Sequence, residues 1–202
     1  MMDRLDGKDR IRAVICDLDE TLIGPRVAQW GRLAALLHAS LPAPAGGATR
    51  PLPSPVTAIL TRLYAWSRRK VVLDAEVMDA LEALRRAGLR VGLVTNGAAR
   101  KRHTIELLGL GRWVSCVVVS EEEGRRKPDA ALFQLAAERL GMRPGEILFV
   151  GDKPRQDIKG ARSAGLRTAW LRRRPRWLPG PRRPPADLVV TSLRDVLAAL
   201  GL

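Results

Sequence analysis

The sequence predicts an α/β protein: an open, doubly wound parallel sheet with helices on both faces. Three observations predict it. From residue 74 onward, short apolar runs alternate with stripes at helical spacing, the pattern of repeated strand–helix–strand units. Several stripes end on a glycine, as at Gly88, Gly141 and Gly165. Carboxylates, a hydroxyl, an amide and a lysine stand just past the apolar runs, and in such a sheet that rim binds ligands.

The elements follow in order. Residues 12–17 (RAVICD) form an apolar run ending in a carboxylate and read as a buried strand. Val27, Trp30, Leu33, Leu37 and Leu41 lie at helical spacing, predicting a helix over 26–41. Residues 42–55 are crowded with Pro and Gly and read as a loop. Ser54 and Pro55 then suit a helix start, with Val56, Ile59, Leu60 and Leu63 as its stripe. Helices are predicted over 75–87, 98–108, 128–140, 156–164 and 192–200, and strands over 90–95, 114–120, 146–151, 167–171 and 187–191. Ser192 and Asp195 have the spacing of a capping box. The stretch between the first two strands exceeds a single crossover. Residues 24–70 are therefore read as a small helical cap inserted after the first strand, with 1–23 and 71–202 as the core.

The 202 residues suffice for one full hydrophobic core plus such an insertion. No apolar run is long enough to span a bilayer. The opening MMDRLDGKDR is charged and is not read as a signal peptide, so the expected location is cytoplasmic and no membrane partner is expected. Cys16 and Cys116 sit in apolar runs and read as buried, reduced core thiols. The net charge of +14 points to an anionic partner. Six arginines and no acid occupy residues 171–185. That segment reads as a solvated loop, and a nucleic-acid contact with Trp177 as a stacking surface is the competing reading.

The rim residues are Asp17-Leu18-Asp19, Thr95-Asn96-Gly97, 120–127 and 152–157. Carboxylates gathered on one edge repel one another unless a cation sits among them. Oxygen ligands select a hard cation, and Mg²⁺ is the usual choice beside phosphates. Mg²⁺ with Lys127 offsets Asp17, Asp19 and Asp152 and attracts a phosphate dianion. An Asp carboxylate can attack phosphorus and form an aspartyl-phosphate. A second carboxylate two residues on can protonate the leaving oxygen and later deprotonate water.

These residues carry a resemblance. Asp17-Leu18-Asp19-Glu20-Thr21 resembles the first motif, DxDxT, of the haloacid dehalogenase superfamily. Thr95 at the end of VGLVT resembles its second motif, Lys127-Pro128 its third, and Gly151-Asp152 through Asp157 its fourth. All four occur in the family's order at strand ends. The resemblance implies a Rossmann-like core with a C1-type cap, and it implies roles. Asp17 is then the nucleophile and a metal ligand. Asp19 is the acid/base, with its backbone carbonyl on the metal. Thr95, Asn96 through its backbone N–H, and Lys127 bind phosphate, and Lys127 also holds the nucleophile. Asp152 completes the Mg²⁺ site, and Asp157 supports it. Asp19 favours phosphate chemistry, because the family's dehalogenases lack it. The implied activity is hydrolysis of a small phosphorylated metabolite. Two alternatives stay open: a sugar-phosphate phosphomutase, and a basic polyanion-binding module on the same scaffold. Lys153 stands where the family more often has a small polar residue. The short, Pro/Gly-rich cap leaves the substrate unnamed.

Overall fold

In β1 (Ala13–Cys16) alternate side chains enter two separate cores, so no residue of the strand reaches solvent. Val14 and Cys16 join one cluster, Ala13 and Ile15 the other. A computed structural model describes residues 10–23, 73–172 and 185–202. The helical cap expected over 24–70 lies outside the described residues, as do residues 173–184 of the arginine-rich stretch 171–185.

The other strands are β2 (Arg90–Thr95), β3 (Val114–Val119), β4 (Ile147–Gly151), β5 (Arg167–Leu171) and β6 (Leu188–Val190). All pair in parallel, in the order β3-β2-β1-β4-β5-β6. The order reverses between β1 and β4, which makes that crevice the switch point where such sheets bind ligands.

Helices cover both faces. On one, α1 (Ala75–Arg86) buries Val77, Ala80, Leu81 and Leu84, and α5 (Leu193–Leu200) buries Leu193 and Val196. On the other, α3 (Ala130–Leu140) buries Leu132, Phe133, Ala136, Ala137 and Leu140. Phe133 meets Phe149 of β4 edge to face, with ring centroids 5.0 Å apart. The capping box at Ser192 and Asp195 is present, with Asp195 N donating to Ser192 Oγ at 3.1 Å.

Three helices differ from the expected bounds by two residues or more, each for a local reason. Helix α2 (Lys101–Leu107) starts later than residue 98. Residues 98–100 form a tighter turn, in which Lys101 N donates to Ala98 O at 2.9 Å and Arg102 N to Ala99 O at 3.0 Å. Helix α3 starts at Ala130 because Asp129 caps it, accepting from Ala131 N at 3.0 Å. The helix expected over 156–164 is a π-helical turn, Pro154–Lys159, running into the short α4 (Gly160–Ser163). There Lys153 O accepts from Asp157 N at 2.9 Å and from Ile158 N at 3.4 Å, while Asp157 Oδ2 accepts Lys153 N at 2.9 Å. The wide turn points the Asp157 carboxylate back toward the end of β4.

Candidate active site

The end of β1 delivers Asp17. Its N–H donates to Val150 O at 2.9 Å, which prolongs the pairing with β4 by one residue. The following loop is pinned by Leu18 and Leu22, both without exposed surface. It closes on itself, with Leu22 N and Ile23 N donating to Leu18 O at 3.1 and 2.9 Å. The reversal puts Glu20 at φ 67°, a left-handed conformation that costs an L-residue roughly 1–2 kcal/mol. That tight loop holds Asp19 at the rim, with its side chain 37% exposed.

Lys127 is the centre of the site. Its ammonium lies 2.5 Å from Asp17 Oδ1 and 2.6 Å from Asp157 Oδ1, and both ion pairs are buried. Arg125 and Arg126, its neighbours in sequence, are exposed. Asn96 fixes the backbone of Lys127 from the end of β2: Lys127 N donates to Asn96 Oδ1 at 2.8 Å, and Asn96 Nδ2 donates to Lys127 O at 3.1 Å. Asp157 reaches Lys127 because residue 151 is glycine. A Cβ there would lie 2.6 Å from both Cβ and Cγ of Asp157.

Two buried oxygens have no hydrogen-bond partner among the described residues and belong to this rim: Asp17 Oδ2 and Thr95 Oγ1. A buried acceptor and a buried hydroxyl left this way each cost about 1–3 kcal/mol, so both are suited to a ligand. Asp17, Asp152 and Asp157 each offer a carboxylate oxygen within 4.8 Å of the others. Asp157 has already committed both oxygens, to Lys127 Nζ and to Lys153 N. Asp17 and Asp152 are therefore the carboxylates with capacity for a cation, and the all-oxygen set fits a hard divalent ion.

Electrostatics lean the same way. Burial raises the Asp17 carboxyl above its usual range, Lys127 draws it down and Asp157 pushes it up again. Burial also raises Asp152, against the pull of Lys153. For Lys127, burial favours the neutral amine, but Asp17 and Asp157 outweigh it and raise its pKa. Burial thus raises both Asp17 and Asp152, while the carboxylates facing Lys127 keep its ammonium charged. Lys153 lies 3.2 Å from Asp152 Oδ1 with its side chain 38% exposed, so it adds charge at the edge of the site.

The structure thus gathers Asp17, Lys127, Asp152 and Asp157, and places Thr95 and Asn96 at the end of the neighbouring β2. Sequence reasoning missed three features. The Asn96 side chain organises Lys127, a role distinct from that of its backbone. Trp170 Nε1 donates to Asp152 O at 3.0 Å and steadies the loop after β4. Lys101, outside every motif, pairs with both oxygens of Asp19 at 2.6 Å.

A family model for haloacid dehalogenase-like hydrolases matches residues 11–165. A phosphoserine phosphatase from Thermus thermophilus is 38% identical over 146 residues, covering 71% of this chain and 57% of that protein. A phosphoglycolate phosphatase from Salmonella typhimurium is 36% identical over 132 residues, covering 65% and 52% respectively. The chain thus spans somewhat more than half the length of these curated relatives. A crystal structure of a HAD phosphatase from Thermococcus onnurineus superposes with a TM-score of 0.69 at 23% identity, covering 95% of this chain and 98% of that one, a likeness of fold. With the family match spanning most of its length, the chain belongs to the haloacid dehalogenase-like hydrolases.

Proposed function

We propose that this chain is a magnesium-dependent phosphohydrolase that cleaves a small phosphate monoester through an aspartyl-phosphate on Asp17. One observation carries the reading: a buried carboxylate held by Lys127 through one oxygen, with its other oxygen unpartnered among the described residues and Asp152 close by. The names of the relatives, phosphatases of phosphoserine and phosphoglycolate, favour a small phosphorylated metabolite.

The residues divide the chemistry. Asp17 attacks phosphorus, and the new oxygen–phosphorus bond forms as the bond to the leaving oxygen breaks. Asp19 gives that oxygen a proton, then takes one from the water that cleaves the acyl phosphate and frees Asp17. Lys127, the Thr95 hydroxyl and the Asn96 backbone N–H hold the phosphoryl oxygens. Asp157 keeps Lys127 in place. Asp17, Asp152 and the Asp19 carbonyl would hold Mg²⁺, which would supply positive charge beside the phosphoryl group. In this reading residues 24–70, which follow the Asp19 loop in the sequence, act as the cap that selects the substrate.

The test is phosphate release from p-nitrophenyl phosphate. Turnover is expected with Mg²⁺, its loss in EDTA, and a loss of at least about a thousandfold in Asp17→Asn. Undiminished turnover in EDTA contradicts the metal assignment. Undiminished turnover in Asp17→Asn contradicts the nucleophile.

A further inference from the structure

Lys101 is the first residue of α2 and belongs to none of the motifs. Its ammonium contacts Oδ1 and Oδ2 of Asp19 at 2.6 Å each, a symmetric grip across the gap between the β1 and β2 loops. Exposed ion pairs hold two long side chains at an entropic cost and return little stability. This pair is partly shielded, with Lys101 23% and Asp19 37% exposed.

The path of the lysine is prepared. Its side chain lies folded over Gly97, where a Cβ would stand 2.8 Å from Lys101 Cγ and 3.0 Å from its Cε. The base of the lysine is anchored as well. Gly97 N donates to Ser120 Oγ at 3.0 Å, Ala99 N donates to Glu121 Oε2 at 2.5 Å, and Arg102 pairs with Glu122 at 2.7 Å. Glu123 is paired with Arg139 at 2.8 Å. Glu121 and Glu122 thus engage the neighbours of Lys101, Glu123 is taken up by Arg139, and Lys101 itself turns to Asp19.

We infer that Lys101 is a positioning residue for the acid/base Asp19, fixing its carboxylate in the orientation that serves the leaving oxygen. The inference rests on the phosphohydrolase reading above. A partly exposed carboxylate otherwise samples several rotamers, and a general acid works only within hydrogen-bond reach of its proton acceptor. Lys101 removes that freedom from one side, and Gly97 leaves the lane through which it reaches.

The experiment compares kcat/KM for p-nitrophenyl phosphate, whose leaving group needs little protonation, with that for phenyl phosphate, whose leaving group needs more. Misplacing the acid hurts the second more than the first. Lys101→Met is expected to lose about tenfold or more on phenyl phosphate beyond its loss on p-nitrophenyl phosphate, through kcat rather than KM. Gly97→Ala, which displaces the lysine without removing it, is expected to show the same asymmetry. Lys101→Arg, which keeps the charge, is expected to recover part of the phenyl phosphate rate. Equal losses on both substrates, or none, overturn the inference and leave the phosphohydrolase reading standing. Absence of Mg²⁺-dependent turnover in the wild type overturns that reading instead. Thermal unfolding of each variant checks the fold. If Lys101→Met does not fold, the Gly97→Ala and Lys101→Arg comparison decides.

Discussion

Asp17 and Asp19 are two residues apart in sequence and occupy opposite environments. Asp17 is buried beside a buried lysine, whereas Asp19 stands at the rim. A nucleophile benefits from a fixed, water-poor pocket, and an acid/base must reach both a leaving group and water. Asp19→Ala is therefore expected to lose most turnover, about a hundredfold or more, while isothermal titration still shows Mg²⁺ binding through Asp17 and Asp152. Loss of metal binding together with turnover contradicts that division. Cys16, the residue before Asp17, gives a pH prediction. Burial, then the charge of Asp17, pushes the Cys16 thiol up to about 12. An unfolded thiol ionises near 9.0. Its raised folded pKa means the contribution to stability is complete below pH 9 and is lost as pH climbs toward 12. At pH 8 the native protein is expected to leave Cys16 unlabelled by a disulfide reagent, with labelling on unfolding in guanidinium. Rapid native labelling of Cys16 contradicts the burial.

At the scale of elements, the site depends on where glycines let segments approach. Gly151 ends β4 and gives Asp157 room beneath Lys127. Gly160 begins α4, where a Cβ would meet Phe133 Cε2 at 2.6 Å and the backbone of Pro128 at 2.9 Å, next to Lys127. Gly151→Ala is expected to displace Asp157, cost about 1–3 kcal/mol in denaturant unfolding, and lower turnover. Wild-type stability and rate contradict the packing role. The strands were legible from the sequence, because β1, β2 and β4 are near-continuous apolar runs, as buried parallel strands must be. The carboxylates at their ends were legible for the same reason. The π-helical turn was not, because it depends on Asp157 bonding back to Lys153 N and across to Lys127, contacts invisible to periodicity. The late start of α2 was likewise hidden, since Glu121 binds the Ala99 N–H from a distant loop.

For the molecule as a whole, the strand order places β1 next to both β2 and β4, so Asp17 lies between Thr95 on one side and Asp152 on the other. Topology alone explains why residues so far apart in sequence converge. It also explains why Lys101 escaped notice: its partner sits on a loop that the fold, rather than any local pattern, brings near. Among the described residues no helix is long and apolar enough to cross a membrane. The net charge of +14 suits an anionic substrate, whose approach such a field favours at low salt. The central claim is that Asp17 carries the phosphoryl group. Its most direct test is rapid acid quench during turnover, borohydride reduction of any acyl phosphate, and peptide mapping. The account predicts homoserine at position 17, dependent on substrate and Mg²⁺ and absent from Asp17→Asn. Steady turnover with residue 17 unmodified, or with the reduced residue found elsewhere, contradicts it.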